Sequence, residues 1–411
     1  MFWLYNISVY TVGFFLKIIA LFNNKIRLFT EGRKETFDIL TAEIKKDDRI
    51  LWFHCASLGE FEQGRPLIES VKKKYPGHKI LLTFFSPSGY EVQKDYAFAD
   101  VVTYLPLDTT KNAKEFLQAV HPEMVFFIKY EFWPNILREL QKQNIETLLI
   151  SGVFRKDQSF FKFYGGWMRR SLNAFSYFFV QNEESKSLLQ NIDFKNVTVS
   201  GDTRFDRVFE ITKQDNSLDF IENFIQKKYT LVAGSTWPSD EKFLIKYINE
   251  IAEEDEKIII APHNIKPELI HDLKKRIKKR ITLFSDKEKD NDAQVFIVDT
   301  VGILTKVFSY ADAAYIGGGF DKEGVHNVLE PATFGVPVVI GPVYANFKEA
   351  VELVELGGCM VADNQLSINN ILKKMYTDIK FRTKKGNIAK EYILKNIGAS
   401  EIILDYVGKK I

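Results

Sequence analysis

Polar and apolar residues along this chain fall into two repeating kinds of block. From Arg49 onward, apolar runs of strand length alternate with stretches whose apolar positions recur at helical spacing. Residues 50–56, 79–84, 101–104, 124–129, 147–151 and 177–181 read as strands, with helices over 60–74 and 88–96. The pattern then restarts, and 229–233, 257–261, 295–298, 313–316 and 336–340 make a second set of strands. Strands alternating with helices predict an α/β fold of parallel sheets covered on both faces. Polar residues 213–217 separate the sets, after Gly201-Asp202-Thr203-Arg204-Phe205-Asp206, so a domain boundary is expected near residue 206. Ligands in such sheets sit at the carboxyl ends of the strands. Two such domains facing each other would make one cleft.

The start of the chain obeys neither pattern. Residues 1–24 are apolar around most of a helical circumference, with Lys17 as the only charge. Asn6, Gly13 and Lys17 fall on one narrow side at helical spacing, and Lys25, Arg27, Arg33 and Lys34 come next. About 20 apolar residues can span a bilayer. A narrow polar stripe equally permits a helix lying in the interface, and a buried hydrophobic helix has a similar composition. The trailing basic residues imply that the chain beyond residue 24 stays on the cytoplasmic side. The expected organisation is an anchor helix over 1–24, an N-terminal domain over 25–206 and a C-terminal domain over 207–411.

Composition narrows the function classes. A length of 411 residues favours two domains over one. The 56 basic residues are offset by 54 acidic ones, which argues against nucleic acid as a partner. The densest basic run, residues 274–280, reads as a solvated helix face or as a contact to anionic lipid or phosphate. Two cysteines, Cys55 and Cys359, argue against a disulfide framework and suit a reducing compartment. No Cys/His spacing suggests structural zinc.

Candidate chemistry gathers where the strands end. Ser57-Leu58-Gly59-Glu60 comes directly after the first strand. Gly59 is expected to allow a tight turn. Glu60 opens a helix, where a carboxylate is favoured electrostatically whatever else it does; at a cleft the same carboxylate would serve as a general base. Glu131, in Lys129-Tyr130-Glu131-Phe132-Trp133-Pro134-Asn135, belongs either to a cleft wall or to a helix start with Pro134 in its first turn. Gly234-Ser235-Thr236 makes a strand-to-helix turn whose backbone N–H groups suit a phosphate, or an ordinary helix cap. His263, in Ala261-Pro262-His263, reads as a contact to phosphate or base, or as a structural loop histidine.

The most specific constellation is Gly317-Gly318-Gly319-Phe320 and then Gly324-Val325-His326-Asn327-Val328-Leu329-Glu330-Pro331. Its glycines let a ligand approach the backbone. Asn327 and Glu330, three residues apart, are expected on one face of a helix starting near His326. The N-terminus of that helix would hold phosphate, and Glu330 would accept ribose hydroxyls. Together these residues read as a nucleotide-sugar site, with His326 either touching the ligand or supporting the loop.

In order and spacing, Ser57-Leu58-Gly59-Glu60, Ser86-Pro87-Ser88-Gly89, Glu131-Phe132-Trp133-Pro134-Asn135, Gly234-Ser235-Thr236, Asp299-Thr300-Val301-Gly302, His326-Asn327-Val328-Leu329-Glu330-Pro331 and Asn346-Phe347-Lys348 resemble the bacterial 3-deoxy-D-manno-octulosonic acid (Kdo) transferases over nearly the whole chain. The resemblance implies a GT-B fold, two Rossmann-like domains facing across a cleft, behind a hydrophobic membrane-anchor helix. It implies an inverting glycosyltransferase that moves Kdo from CMP-Kdo to the tetra-acylated lipid A precursor in lipopolysaccharide biosynthesis, on the cytoplasmic face of the inner membrane. Glu60 matches the family's general base and Glu131 a second cleft carboxylate, with Ser57, Gly59 and Ser86 beside them as substrate contacts. Ser235, Thr236, His263, Gly318, Gly319, His326, Asn327 and Glu330 fall in the segments that hold CMP. The chain departs from the family at His263-Asn264, where Arg-His is frequent, at Val325, where a glycine is usual, and at Trp237-Pro238, where histidine and glycine are commoner.

The resemblance also implies a mechanism. Glu60 removes the proton from the acceptor's 6'-hydroxyl, which attacks the anomeric carbon of Kdo as CMP leaves. No Asp-x-Asp cluster stands at a strand end, so neither a metal nor a cofactor is expected. Three rival readings are a GT-B enzyme acting on a UDP-sugar (a transferase or a 2-epimerase), an NAD-dependent oxidoreductase, and a non-catalytic membrane-surface binding protein. The absence of GxGxxG after the first strand argues against the oxidoreductase. An epimerase would have no use for the anchor.

Overall fold

A computed structural model describes residues 2–411; Met1, the first residue of the expected anchor, lies outside them. The chain forms two compact units. The first runs to Arg207 and also takes in Ile397–Ile411, while the second is Val208–Asn396.

The first unit is built on β1 (Ile50–Cys55), β2 (Lys79–Phe84), β3 (Val101–Tyr104), β4 (Met124–Ile128), β5 (Glu146–Gly152), β6 (Tyr177–Val180) and β7 (Val197–Val199). They form one sheet in the order β3-β2-β1-β4-β5-β6-β7, every pairing parallel. All residues of β1 and β4 are buried, as strands covered on both faces must be. Alternate residues serve opposite cores. Trp52, Leu81, Val125 and Phe127 pack on one face, and Phe53, Leu82, Phe126 and Ile128 on the other.

The second unit repeats the plan with β8 (Thr230–Thr236), β9 (Lys257–Pro262), β10 (Ile281–Leu283), β11 (Val295–Ile297), β12 (Ala313–Ile316), β13 (Val338–Ile340) and β14 (Cys359–Val361). Their order is β10-β11-β9-β8-β12-β13-β14, again all parallel. In each sheet the strand order reverses beside the first strand, at β1/β4 and at β8/β12. Crevices at such reversals are where α/β sheets bind ligands.

Three strands have no counterpart in the sequence pattern: β7, β10 and β14. Each is three residues long, and each lies at a sheet edge, where two-sided burial is not enforced. The end of the chain also departs from the expected domains. Helix Ala399–Val407 packs Ile403 and Val407 into the core of the first unit with Phe61, Leu67 and Val71. Asp206 accepts from the Gly398 and Ser400 N–H groups, at 2.6 Å each. An amphipathic helix pattern does not say which of two cores receives its apolar face.

The N-terminal helix, Phe2–Ile19, lies against the first unit by its polar side. Tyr5 donates to Asp108 at 2.7 Å, and Asn6 accepts from Asn135 Nδ2 at 3.0 Å. Gly13 is its one buried residue, seated against Leu107. Its apolar residues face outward: Trp3, Phe14 and Phe15 are 64%, 62% and 54% exposed, and Phe22 beyond the helix is 87% exposed. The buried-helix reading therefore fails, because the residues that would enter a core point away from it.

Candidate functional site

In the first unit, the site residues stand at the carboxyl ends of β1, β2 and β4. Helix Leu58–Lys74 starts at Leu58 with Ser57 as its N-cap, so Gly59 lies in an ordinary first helical turn. A tight turn at Gly59 is not what the backbone contains, and a Cβ there would meet only the Ser57 hydroxyl, at 3.7 Å. Ser57 Oγ accepts from the Gly59 N–H at 3.3 Å and donates its own proton to Glu60 Oε2. One hydroxyl thereby satisfies the helix end and fixes the orientation of the Glu60 carboxylate. The loop after β2 is tied to the loop after β1 by the Ser86 N–H, which donates to Ala56 O at 2.7 Å. The Ser86 hydroxyl caps the next helix, accepting from the Ser88 N–H at 3.3 Å.

Glu131 is nearly buried, at 9% exposure, and its Oε2 accepts from Trp133 Nε1 at 2.7 Å. The same oxygen lies 3.1 Å from Nε2 of His54, which is fully buried in β1. On the other side of that ring, Nδ1 lies 2.9 Å from Thr83 Oγ1, which accepts from Trp52 Nε1 at 2.8 Å. Trp133 Nε1 also lies 3.2 Å from His54 Nε2, but its one proton is taken by the shorter bond to Glu131. Beside an ionised Glu131, which only accepts, Nε2 carries the imidazole proton and Nδ1 accepts from the Thr83 hydroxyl. The chain Trp52–Thr83–His54–Glu131 thus runs donor to acceptor throughout. His54 escaped the sequence reading because it sits inside an apolar strand run, where a histidine leaves the periodicity unchanged.

In the second unit, the loops after β8 and β12 meet. Gly317 N–H donates to Gly234 O at 3.0 Å, and His326 N–H to Gly317 O at 3.1 Å. Gly318 takes φ +91° and packs against Gly324 O, while a Cβ on Gly319 would lie 2.6 Å from Gly341 N. Both positions therefore demand glycine. The Gly318 N–H is already engaged, at 2.8 Å, by the buried Asp240 carboxylate, which also accepts from Trp237 N–H at 3.0 Å and Tyr315 Oη at 2.8 Å. Gly318 therefore offers a ligand close backbone approach rather than a hydrogen-bond donor.

Ser235 and, in the first unit, Lys129 take left-handed φ angles of +53° and +70°. Such angles cost a non-glycine residue about 1–3 kcal/mol and gather at ligand sites. Ser235, Thr305, Asn327 and Glu330 line a cavity of about 190 Å³ floored by Phe308 and Ile316. Glu330 accepts from Thr305 Oγ1 at 2.9 Å and from Asn327 Nδ2 at 3.0 Å.

Two expectations for this unit need correction. No helix begins at His326: the helix is Leu329–Thr333, a single turn, with Val328 at its N-cap, and Asn327 stands just before that, its side chain accepting from the Leu329 N–H at 3.1 Å. The glycine-rich run keeps residues 324–327 out of the helix, so Asn327 and Glu330 meet as preceding loop and first turn rather than along one helix face, and one turn carries little dipole. Thr236 does not face the cavity. It is buried as the last residue of β8, and its hydroxyl donates to Glu241 at 3.2 Å. His263, exposed at the end of β9, stacks on both Trp237 and His326, so these rings of the site are brought together.

Residues 31–207 match a family model described as 3-deoxy-D-manno-octulosonic-acid transferase (kdotransferase). The 3-deoxy-D-manno-octulosonic acid transferase of Haemophilus influenzae is 26% identical over 375 residues, 86% of this chain and 86% of its own. That of Aquifex aeolicus is 28% identical over 313 residues, 75% of this chain and 80% of its own. That of Rickettsia bellii is 29% identical over 321 residues, 75% of this chain and 74% of its own. Among solved structures, UDP-GlcNAc 2-epimerase from Neisseria meningitidis superposes with a TM-score of 0.61 at 16% identity, over 88% of this chain and all of that one. Acinetobacter baumannii MurG does so with a TM-score of 0.56 at 11% identity, over 88% and 99%. At such identities the structural likeness shows the fold alone, that of GT-B proteins.

Proposed function

We propose that the chain is a glycosyltransferase of the Kdo transferase family, which its family-model match and relatives support, and that it transfers Kdo from CMP-Kdo to the tetra-acylated lipid A precursor at the cytoplasmic face of the inner membrane. The observation that carries the donor half is the polar cavity at the β8/β12 reversal. Glu330 lines it as an acceptor suited to ribose hydroxyls, beside Ser235 and Asn327. His326 and the loop around Gly319 flank the place for the phosphate.

Glu60 is the general base in this reading. Its carboxylate, oriented by Ser57, takes the proton of the acceptor's 6'-hydroxyl as that oxygen bonds to the anomeric carbon of Kdo. The bond from that carbon to the CMP phosphate oxygen breaks in the same step, its electrons leave with CMP, and the configuration inverts. Glu131, held by His54 and Trp133, orients a substrate hydroxyl.

The N-terminal helix supports the membrane half. Its polar edge bonds to Asp108 and Asn135, and its apolar residues face outward along its whole length, the arrangement of a helix lying in the interface plane. The test mixes detergent-solubilised protein with CMP-Kdo and the lipid A precursor, with and without EDTA, and weighs the lipid by mass spectrometry. Wild type adds one or more Kdo masses, and Glu60→Ala adds none while still binding CMP-Kdo. A wild type that neither transfers Kdo nor binds CMP-Kdo refutes the reading.

A further inference from the structure

The second unit holds an arrangement of three rings that the donor reading leaves without a purpose. Trp237 Nε1 lies 2.8 Å from His326 Nε2. The two ring planes differ by only 5°, with centroids 6.3 Å apart, so the rings meet edge to edge almost in one plane. An indole N–H and an imidazole lone pair both lie in the planes of their rings, and coplanarity aligns them. Indole nitrogen only donates, so Nε2 of His326 is the accepting, unprotonated nitrogen, and the proton of the neutral ring is on Nδ1. No described residue accepts from that Nδ1–H. His263 lies flat over the pair, its centroid 4.6 Å from Trp237 and 4.5 Å from His326, which fixes the plane of both rings.

The default neutral tautomer of histidine in water carries its proton on Nε2, so Trp237 holds His326 in the less common form. Protonating His326 would set two N–H groups head to head. Burial, and after it the neighbouring His263, already hold the imidazole below its usual pKa. The next residue, Asn327, lines the cavity with Ser235 and Glu330.

Resting on the CMP-Kdo reading above, we propose that Trp237 is a positioning residue: it locks His326 as the neutral Nδ1–H tautomer, whose Nδ1 donates to a phosphate oxygen of the nucleotide donor. The opposite tautomer would present that oxygen with a lone pair. A donor fixed in advance needs no reorganisation as charge builds on the leaving phosphate.

The test uses the full chain in detergent, labelled with ¹⁵N-histidine. Two-bond proton–nitrogen correlation spectra report which ring nitrogen carries the proton, and His326→Gln identifies the His326 pattern. Wild type should show Nδ1–H. Trp237→Phe keeps the stacking ring but loses the donor. It should switch His326 to Nε2–H and raise the KM for CMP-Kdo on the order of ten-fold, the worth of one hydrogen bond to a charged oxygen. Trp237→His, which restores a ring N–H, should recover part of that loss. An Nε2–H pattern in wild type overturns the lock. A raised KM in Trp237→Phe with the tautomer unchanged also overturns it, since packing alone would then explain the loss. A switched tautomer with KM unchanged overturns the phosphate contact. A wild type that binds no CMP-Kdo removes the donor reading and the phosphate contact with it, while the spectrum still decides the lock.

Discussion

Asp240 is the residue on which the shape of the second-unit site depends, and its removal can be worked through in numbers. Its carboxylate is fully buried and accepts three hydrogen bonds, from the N–H groups of Gly318 and Trp237 and from the Tyr315 hydroxyl. Asp240→Ala strands three donors. At about 1–3 kcal/mol for each buried donor left unpaired, and with water reaching some of them, the second unit should lose about 3–6 kcal/mol. Asp240→Asn should lose less than about 1 kcal/mol. Its amide oxygen can face the two backbone groups while its NH₂ meets Tyr315, whose hydroxyl turns to accept. Burial is the first cause of the raised pKa of Asp240, above the ordinary 3.8. The folded chain therefore holds the proton at pH values where the unfolded chain has lost it, and wild-type stability falls as pH rises through that window. Asn has no such titration, so Asp240→Asn should compare better with wild type at about pH 7 than at about pH 4, below and near the ordinary carboxyl range. Hydrogen exchange of peptides containing Trp237 and Gly318, followed across a urea series, reads both effects. If Asp240→Ala protects these amides as wild type does, or Asp240→Asn is as damaged as Asp240→Ala, the reasoning is wrong.

Other contacts carry their own expected outcomes. Gly319→Ala drives a Cβ to 2.6 Å from Gly341 N, against backbone that cannot swing aside, so a loss of about 1–3 kcal/mol and of CMP binding is expected by urea unfolding and calorimetry. His54→Phe fills the same space but leaves Glu131 and Thr83 without their shared partner. It should lower stability by about 2–4 kcal/mol and slow transfer, and the denaturation midpoint and initial rate check this. Phe14→Glu with Phe15→Glu charges the outward side of the N-terminal helix. Co-sedimentation with anionic vesicles should be lost while CMP-Kdo binding is retained.

Much of the fold was legible because two-sided burial writes strands as unbroken apolar runs, and both sheets are parallel. β1 and β12 emerge from the sequence within a residue or so of their true ends. The site was legible where backbone geometry dictates residue type, as at Gly318 and Gly319. It was not legible where side chains act on each other across the chain. His54 and Glu131 are 77 residues apart, and Trp237 and His326 are 89 apart. Thr236 was misplaced because β8 runs past the apolar segment, with a register shift between Gly234 and Thr236, and turns that hydroxyl inward. The helix expected at His326 failed for the opposite reason. Glycines and backbone hydrogen bonds to Gly317 and Val343 keep Val325 and His326 out of a helix, against the helical spacing of their neighbours.

The return of Ile397–Ile411 to the first unit has a consequence for synthesis. A ribosome delivers the chain from its amino end, so the N-terminal helix and seven strands of the first unit emerge before any of the second. Yet that early unit lacks Ile403 and Val407, and Asp206 lacks the N–H groups of Gly398 and Ser400, until the last turns are made. The apolar surface around Phe61, Leu67 and Val71 stays uncovered for the time it takes to build the whole second unit. The nascent protein therefore presents its N-terminal helix first and closes the core of its first unit only after residues 397–411 are made. Mutations in the final helix should show as failed folding of the oldest part of the chain.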